Sequence, residues 1–199
     1  MKIDKNDVFK ALKNTLDSYY SITDQTWKEF KKICEIKQIN KNDYAFDIYN
    51  SKDEFYFIYK GLFRAFRVNE EAKEYTKNFF WEGRLFGSML FLLFKLPITA
   101  SVQAIEDSIV VAINHTKYRE LLEKSEDLKM YQILYLEKHW MLQKDPYISS
   151  LVLEDAQIRY QKFLNEFDHI IHRLSQHHIA SYLGISPTHL SRIKKELKK

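Results

Sequence analysis

The spacing of apolar residues divides this 199-residue chain into a helical start, a β-rich middle and a helical end. Two short helices are predicted at the start, with Asp4 and Thr23 as N-caps, because apolar residues then recur three or four positions apart. The apolar face of the first helix consists of Val8, Phe9, Leu12 and Leu16, and that of the second of Trp27, Phe30 and Ile33. Each pattern indicates a helix with one face buried.

From Tyr44 to Ile113 the pattern changes to that of β-strands. Short runs rich in aromatic and β-branched residues alternate with turn-forming residues, which is typical of an antiparallel sandwich or barrel. The predicted strands are Tyr44–Ile48, Phe55–Tyr59, Leu62–Val68, Tyr75–Trp81, Ala100–Ile105 and Ile109–Ile113. Three of the four glycines, Gly61, Gly83 and Gly87, fall in this region and are expected at turns.

The helical period returns after Thr116, first in a short helix containing Tyr118, Leu121 and Leu122. A longer helix is predicted from about Glu126 to Leu151, which Pro146 should kink or interrupt. Its apolar residues cover more than one face and include Tyr131, Leu134, Tyr135 and Met141. We therefore expect one face to pack on the sheet and another to pair with a second copy of the chain. A further helix should run from Asp155 to Phe167.

Residues 176–199 have the pattern of a helix-turn-helix. Gly184 suits the tight bend after the first helix, Ser186 suits the N-cap of the second, and Pro187 suits its first turn. We call the second helix the reading helix. The residues expected on or beside its polar face, and therefore against DNA, are Ser186, Thr188, His189, Ser191, Arg192, Lys195, Lys198 and Lys199.

The distribution of charge supports DNA as the partner. The chain has 31 Lys and Arg residues against 27 Asp and Glu residues, a net charge of +4. Residues 185–199 contain five basic residues and one acidic residue, so they carry the whole excess. Positive charge confined to the reading helix and its tail is what binding to phosphates requires. A solvated lysine-rich end is the alternative explanation of the charge alone.

Composition limits the other classes of function. Cys34 is the single cysteine, which excludes an internal disulfide and a cysteine-ligated iron–sulfur cluster, and we interpret it as a helix core residue. The first residues contain no apolar signal segment, and the longest apolar run, Met89–Phe94, is too short to span a membrane. A cytoplasmic protein without a membrane partner is expected.

The sequence contains no pattern that predicts an enzyme. No histidine occurs between Tyr44 and Ile113, although a metal-dependent β-barrel enzyme would need several there. Phosphate-loop, nucleophile-elbow and metalloprotease patterns are also missing. We interpret the histidines near the helix-turn-helix as surface or capping residues; they are His169, His172, His177 and His178. No catalytic residue, metal or cofactor is therefore predicted.

Four stretches follow one another in an order known from one family. Residues 57–61 resemble its strand that ends in a hairpin glycine, and residues 82–87 resemble the turn that opens its phosphate-binding cassette. Residues 99–104 resemble the strand that closes the cassette, and residues 179–193 its helix-turn-helix. The chain resembles the cyclic-AMP receptor/fumarate-nitrate regulator (Crp/Fnr) superfamily of transcription regulators. This resemblance implies a jelly-roll effector domain, and as partners double-stranded DNA, a second copy of the chain and RNA polymerase.

The resemblance also locates the effector pocket, at Phe86, Gly87, Ser88, Ile98 and Thr99. In members that bind cyclic nucleotides, a glutamate holds the ribose and an arginine pairs with the phosphate. Ser88 and Ile98 occupy those two positions here, and an unpaired buried phosphate would cost on the order of several kcal/mol. We therefore predict a degenerate pocket that takes an unknown small-molecule effector or none, and not cyclic AMP.

Together these patterns predict an α+β protein in three parts. Residues 1–125 should form a cyclic-nucleotide-binding-like β jelly roll with flanking helices, 126–152 a long dimerisation helix, and 153–199 a helix-turn-helix domain. Because the sequence stops at Lys199, this domain is expected to lack a full wing. The predicted function is that of a bacterial transcription regulator that binds a palindromic DNA site as a homodimer. The alternative is a jelly-roll module that binds a ligand or protein without specific DNA recognition.

Overall fold

The computed structural model describes residues 4–50, 52–139 and 154–197. It begins with helices α1 (Lys5–Asp17) and α2 (Asp24–Lys32). Both predicted caps are confirmed: the Asp4 carboxylate accepts from the backbone N–H of Asn6 at 2.8 Å, and the Thr23 hydroxyl accepts from that of Thr26 at 3.3 Å. The predicted apolar faces point into the protein, with Val8, Leu12 and Leu16 fully buried.

The middle of the chain forms two four-stranded antiparallel sheets that face each other as a jelly roll. The strands are β1 (Cys34–Ile39), β2 (Tyr44–Phe46), β3 (Glu54–Lys60), β4 (Phe63–Val68), β5 (Glu74–Phe80), β6 (Leu85–Phe86), β7 (Ser101–Ala104) and β8 (Ser108–Asn114). Their order is β1-β8-β3-β6 in the first sheet and β2-β7-β4-β5 in the second. Over the described strands the sheets stay open and do not close into one barrel.

Strands β3 and β8 are almost continuously apolar because both faces of the first sheet are covered. Phe57 and Val111 lie in the core shared with the helices, whereas Ile58 and Val110 lie in the core between the sheets. Successive residues of a strand point to opposite faces, so a strand buried on both sides loses its polar alternation. This arrangement places the first sheet between the helices on one side and the second sheet on the other.

The glycines of the β region serve two purposes. Gly61 and Gly83 have φ angles of 123° and 80°, as expected of turn glycines. Gly87 has no positive φ, and its constraint is space, because a Cβ there would lie 2.8 Å from the Cβ of Phe55. The turn prediction is therefore confirmed at two of the three positions.

The sequence patterns missed β1, β6 and a short helix, α3 (Met89–Phe94). β1 follows α2 directly, so the prediction that Cys34 is a helix core residue is wrong: Cys34 begins a strand and is half-buried. Its thiol donates to the carbonyl of Phe30 at 3.2 Å, and burial raises the pKa of this thiol to about 12. β6 is too short to show a period, and α3 is apolar on every side.

Helices α4 (His115–Lys124) and α5 (Glu126–Leu136) pack against the outer face of the first sheet. The apolar residues of α5 do cover more than one face, but Tyr131 is buried within the chain and Tyr135 packs on the same core. The exposed apolar residues are Met130, Ile133 and Leu136. The remainder of the predicted dimerisation helix, including Met141, Pro146 and Leu151, lies outside the described residues.

The last part of the chain forms helices α6 (Ala156–Glu166), α7 (Gln176–Leu183) and α8 (Pro187–Glu196). A 3-10 turn (Ile171–Arg173) precedes α7. Asp155 caps α6 by accepting from the backbone N–H of Ile158 at 2.9 Å. We call residues 154–197 the helix-turn-helix unit. Among the described helices, none combines the length and the apolar character that crossing a membrane requires.

Candidate DNA-reading surface and effector pocket

The turn between α7 and α8 has the predicted local geometry. Gly184 adopts the left-handed conformation, with φ 69° and ψ 27°. The Ser186 hydroxyl accepts from the backbone N–H of His189 at 3.1 Å, and Pro187 begins α8. The two helices hold together through buried apolar side chains, among them Ile179, Leu183, Leu190 and Ile193. α8 is therefore a capped helix that packs through one face and leaves the other exposed.

That remaining face of α8 is polar and exposed. Thr188, Ser191, Arg192 and Lys195 are exposed, as is Ser186 before them, while His189 is half-buried. Leu190 and Ile193, on the opposite side, are buried at 0% and 3% relative exposure. Lys198 and Lys199 lie outside the described residues. The candidate DNA-binding residues that are described thus lie on one side of α8.

The cations on this face are not neutralised within the described residues. Neither Arg192 nor Lys195 has a carboxylate oxygen within 4.0 Å there. Lys194 points away from the face, with its ammonium 6.0 Å from the centre of the Tyr160 ring. Arg192 and Lys195 therefore present free positive charge of the kind that phosphates and guanine edges attract.

The helix-turn-helix unit packs directly on the second sheet through an apolar contact. The ring of Phe79 on β5 lies 5.7 Å from that of Phe167 and 5.7 Å from that of Tyr182 on α7. All three residues are buried, in one cluster with the core of the unit. This contact buries one side of α7 and not the polar face of α8. The polar face of α8 therefore stays accessible while the helix-turn-helix unit is packed on the second sheet.

Two of the five residues of the predicted effector pocket, Phe86 and Ile98, are buried in the core of the protein. Phe86 lies between the sheets, with its ring centre 4.9 Å from that of Phe63, 5.2 Å from that of Tyr56 and 5.4 Å from that of Phe80. Ile98 is buried in the same core. A ligand here would have to displace several aromatic rings, which a packed core resists.

The two polar residues of the predicted pocket are already engaged or lie at its edge. Arg67 on β4 is exposed and donates from Nη2 to the Thr99 hydroxyl at 2.6 Å. Ser88 precedes α3 without capping it through its side chain. Arg84 and Lys95, the other basic residues near the cassette, lie elsewhere: Arg84 stacks over Trp81 at 4.3 Å, and Lys95 faces Asp53 at 3.7 Å. The sequence patterns gave no signal for Arg67.

The histidines near the helix-turn-helix are not equivalent. His169, His172 and His177 are exposed, as predicted, and His169 packs edge-on to Trp81 at 4.7 Å. His178 is half-buried, and its Nδ1 is buried without a hydrogen-bond partner among the described residues, so the surface interpretation is wrong for this residue. Burial, aided by Arg64 and His177 and opposed by Glu74, lowers the pKa of His178 to about 4. In the described part of the chain, no three His, Cys, Asp or Glu residues converge to hold a metal ion.

Comparison with known proteins agrees with this arrangement. Residues 36–125 match the family described as "Cyclic nucleotide-binding domain". No curated protein sequence matches the chain. FixK2 from Bradyrhizobium japonicum is 18% identical with a TM-score of 0.69, covering 83% of this chain and 85% of FixK2. The c-di-GMP-responsive global regulator CLP from Xanthomonas campestris is 16% identical with a TM-score of 0.70, covering 88% and 92%.

A transcriptional regulator assigned to the crp/fnr family, from Eubacterium rectale, is 13% identical with a TM-score of 0.65, covering 89% of this chain and 84% of its own. The chain has the fold of a Crp/Fnr-type regulator. The cyclic nucleotide-binding match extends from β1 to the end of α4, and the coverage shows that the Crp/Fnr fold continues beyond it. The fold that the resemblance implies is thereby confirmed, while the roles of individual residues stay predictions.

Proposed function

We propose that this chain is a transcription regulator that binds a palindromic DNA site as a homodimer and does not respond to cyclic AMP. The observation that supports DNA binding most directly is the exposed polar face of α8, on which Arg192 and Lys195 have no carboxylate partner among the described residues. A helix of this kind, placed second in a helix-turn-helix, enters the major groove and contacts base edges. Contact with RNA polymerase remains an expectation from the family resemblance.

The homodimer is supported by the outer face of α5. Met130, Ile133 and Leu136 are 38%, 47% and 49% exposed and lie three residues apart, which is the spacing of a stripe that another helix covers. Two-fold pairing through α5 would place the two copies of α8 for neighbouring major grooves, ~34–36 Å apart. A palindromic site follows from that symmetry.

The lack of a cyclic AMP response is supported by the filled space between the sheets. Phe86 and Ile98 belong to a continuous core, and neither can pair with a phosphate. Occupation of the cassette by apolar side chains suits a regulator whose DNA binding needs no cyclic nucleotide.

Selection of bound sequences from a random pool of duplex DNA tests the function. The full-length chain, without added effector, should shift a fraction of the pool and enrich an inverted repeat. The matched control is the Arg192→Ala/Lys195→Ala variant, which keeps the packed face of α8 and should lose this enrichment. Equal, unselective binding by both proteins would contradict the proposal and favour the jelly-roll module without specific DNA recognition.

A further inference from the structure

A partly buried ion-pair cluster joins the helix-turn-helix unit to the jelly roll. The guanidinium of Arg173, in the 3-10 turn before α7, donates to both carboxylate oxygens of Glu82, at 2.9 Å each. It also donates from Nη2 and Nε to Glu106, at 2.5 and 3.2 Å. The Arg173 side chain is only 19% exposed. We call these three residues the Arg173 cluster.

The two carboxylates of the cluster come from equivalent places in the jelly roll. Glu82 lies in the connection from β5 to β6, and Glu106 in that from β7 to β8, so each lies where the chain passes from the second sheet to the first. Glu82 is itself fixed, because its Oε1 accepts from the backbone N–H of Gly61 at 2.8 Å. Burial disfavours its charge, but the hydrogen bonds from Arg173 and backbone N–H groups lower the pKa of Glu82 overall.

A second polar contact fixes α7 along the edge of the second sheet. The Ser181 hydroxyl donates to the carbonyl of Glu74 at 2.9 Å and accepts from the backbone N–H and the hydroxyl of Thr76, at 2.9 and 3.0 Å. β5 is the last strand of its sheet, so these backbone groups belong to an edge that would otherwise be unpaired. Thr76 is fully buried by this contact.

These contacts constrain the unit at separate points. The Arg173 cluster holds the chain where it enters α7, Ser181 holds the last turn of α7, and Phe79 contacts Phe167 in the core of the unit. α8 packs on α7 through Leu190 and Ile193, so the orientation of α7 also sets that of the reading helix. Apolar burial stabilises the contact between the unit and the jelly roll but does not fix their relative orientation closely. A bidentate guanidinium contact is directional and therefore does constrain that orientation.

We propose that Arg173 and Ser181 are positioning residues, which fix the reading helix relative to the jelly roll and thereby set the spacing between DNA half-sites that the homodimer accepts. This inference rests on the proposed function. Neither residue lies on the exposed face of α8, so neither selects bases. Two binding properties should therefore be determined separately. The exposed face of α8 should determine the base preference within a half-site, and the contacts with the jelly roll should determine which half-site spacings are accepted.

The test is a set of duplexes that carry the selected half-site twice, with spacers that differ by one base pair. The full-length wild-type chain should prefer one spacer sharply. In the Arg173→Ala variant, the preference for that spacer over its neighbours should fall by ~2- to 30-fold, the scale on which residues couple distant sites. Base preference within each half-site should not change. Ser181→Ala should act in the same direction, and Glu106→Gln, which leaves Glu82 to hold Arg173, should have a smaller effect.

Lys162→Ala is the matched control, because it removes one positive charge from the same unit at a residue whose partner, Glu154, also belongs to the unit. Its spacer preference should equal that of the wild type. Unchanged spacer preference in both Arg173→Ala and Ser181→Ala, with wild-type selection intact, would overturn this inference alone. A wild-type chain that selects no paired half-sites would overturn the proposed function and this inference with it. Circular dichroism and hydrogen exchange at residues 176–183 verify that each variant is folded and report whether α7 has loosened.

Discussion

Arg67 donates a 2.6 Å hydrogen bond to the Thr99 hydroxyl, so one of the two polar side chains of the predicted cassette already has a partner. The guanidinium belongs to an exposed side chain on β4, outside the filled space between the sheets. In family members that bind cyclic nucleotides, an arginine neutralises the buried phosphate. Ile98 occupies that position here and carries no charge. This relationship leads to the first prediction.

Cyclic AMP and cyclic GMP should give no heat of binding in calorimetry at micromolar protein, because Phe86 and Ile98 fill the pocket with apolar atoms. DNA affinity should likewise be unchanged by either nucleotide. The Arg67→Ala variant is the informative control. If the wild type binds and this variant does not, Arg67 supplies the missing guanidinium and the prediction is wrong.

Arg192→Ala should weaken binding to the selected DNA site by ~1–3 kcal/mol and relax the preference at one base pair per half-site. The reason is that a guanidinium on the exposed face of α8 can donate to both acceptors of guanine. Lys195→Ala, on the same face, should weaken all sequences alike. Repeated site selection with each variant distinguishes the two. Uniform weakening by Arg192→Ala, with a shallower salt dependence, would identify Arg192 as a phosphate contact instead.

Ser186→Ala should lower the free energy of unfolding by about 1 kcal/mol, because the N-cap of α8 loses the acceptor for the His189 N–H. Ser191→Ala is the matched comparison, since Ser191 is exposed on the same helix and caps nothing. That variant should unfold like the wild type within ~0.5 kcal/mol while losing DNA affinity. Urea titration followed by circular dichroism measures both. Equal stability of the two variants would show that the cap contributes nothing.

The protein should lose stability as pH falls from about 6.5 toward 4, because of His178. Above that range His178 is neutral in both the folded and the unfolded chain. Within it, the unfolded chain takes up a proton that the buried side chain, with its pKa lowered to about 4, does not. Thermal midpoints measured at several pH values should therefore fall more in the wild type than in His178→Gln. The exposed neighbour provides a comparison: burial is the main cause of the lowered pKa of His178 and His177 a lesser one, so His177→Gln should keep most of the wild-type loss of stability. Identical profiles for all three proteins would contradict the assignment.

Light scattering should give the mass of a dimer for the full-length chain, and Ile133→Asp should shift it toward the monomer. A carboxylate in the middle of the exposed apolar stripe of α5 would be buried without a partner in the dimer. Lys117→Gln is a suitable control, because it makes the same change in charge at an exposed position of α4. A monomeric wild type, with and without its DNA site, would contradict pairing through α5.

The helix-turn-helix was predictable in detail because its signals act over a few residues. Gly184 tolerates a positive φ, Ser186 reaches an N–H three positions away, and Pro187 needs no partner for its nitrogen. The strands from Tyr44 to Ile113 were predictable for a similar reason, since alternation and turn residues are local. β1 was missed because only Ile33 separates it from α2, and its half-buried residues do not separate clearly into two faces.

What the sequence by itself determined, then, is most of the succession of elements and the capped, basic helix α8. The interpretation of Ser88 and Ile98 as lost phosphate-binding positions stays a prediction. The tertiary structure alone decided which apolar residues are covered: Tyr131 is buried within the chain, while Ile133 is exposed. It also brought Arg173 to Glu82, 91 positions earlier, and to Glu106, 67 positions earlier. Helical and strand periods are local properties of the chain, whereas such contacts depend on how whole elements pack against each other, so no pattern of neighbouring residues could reveal them.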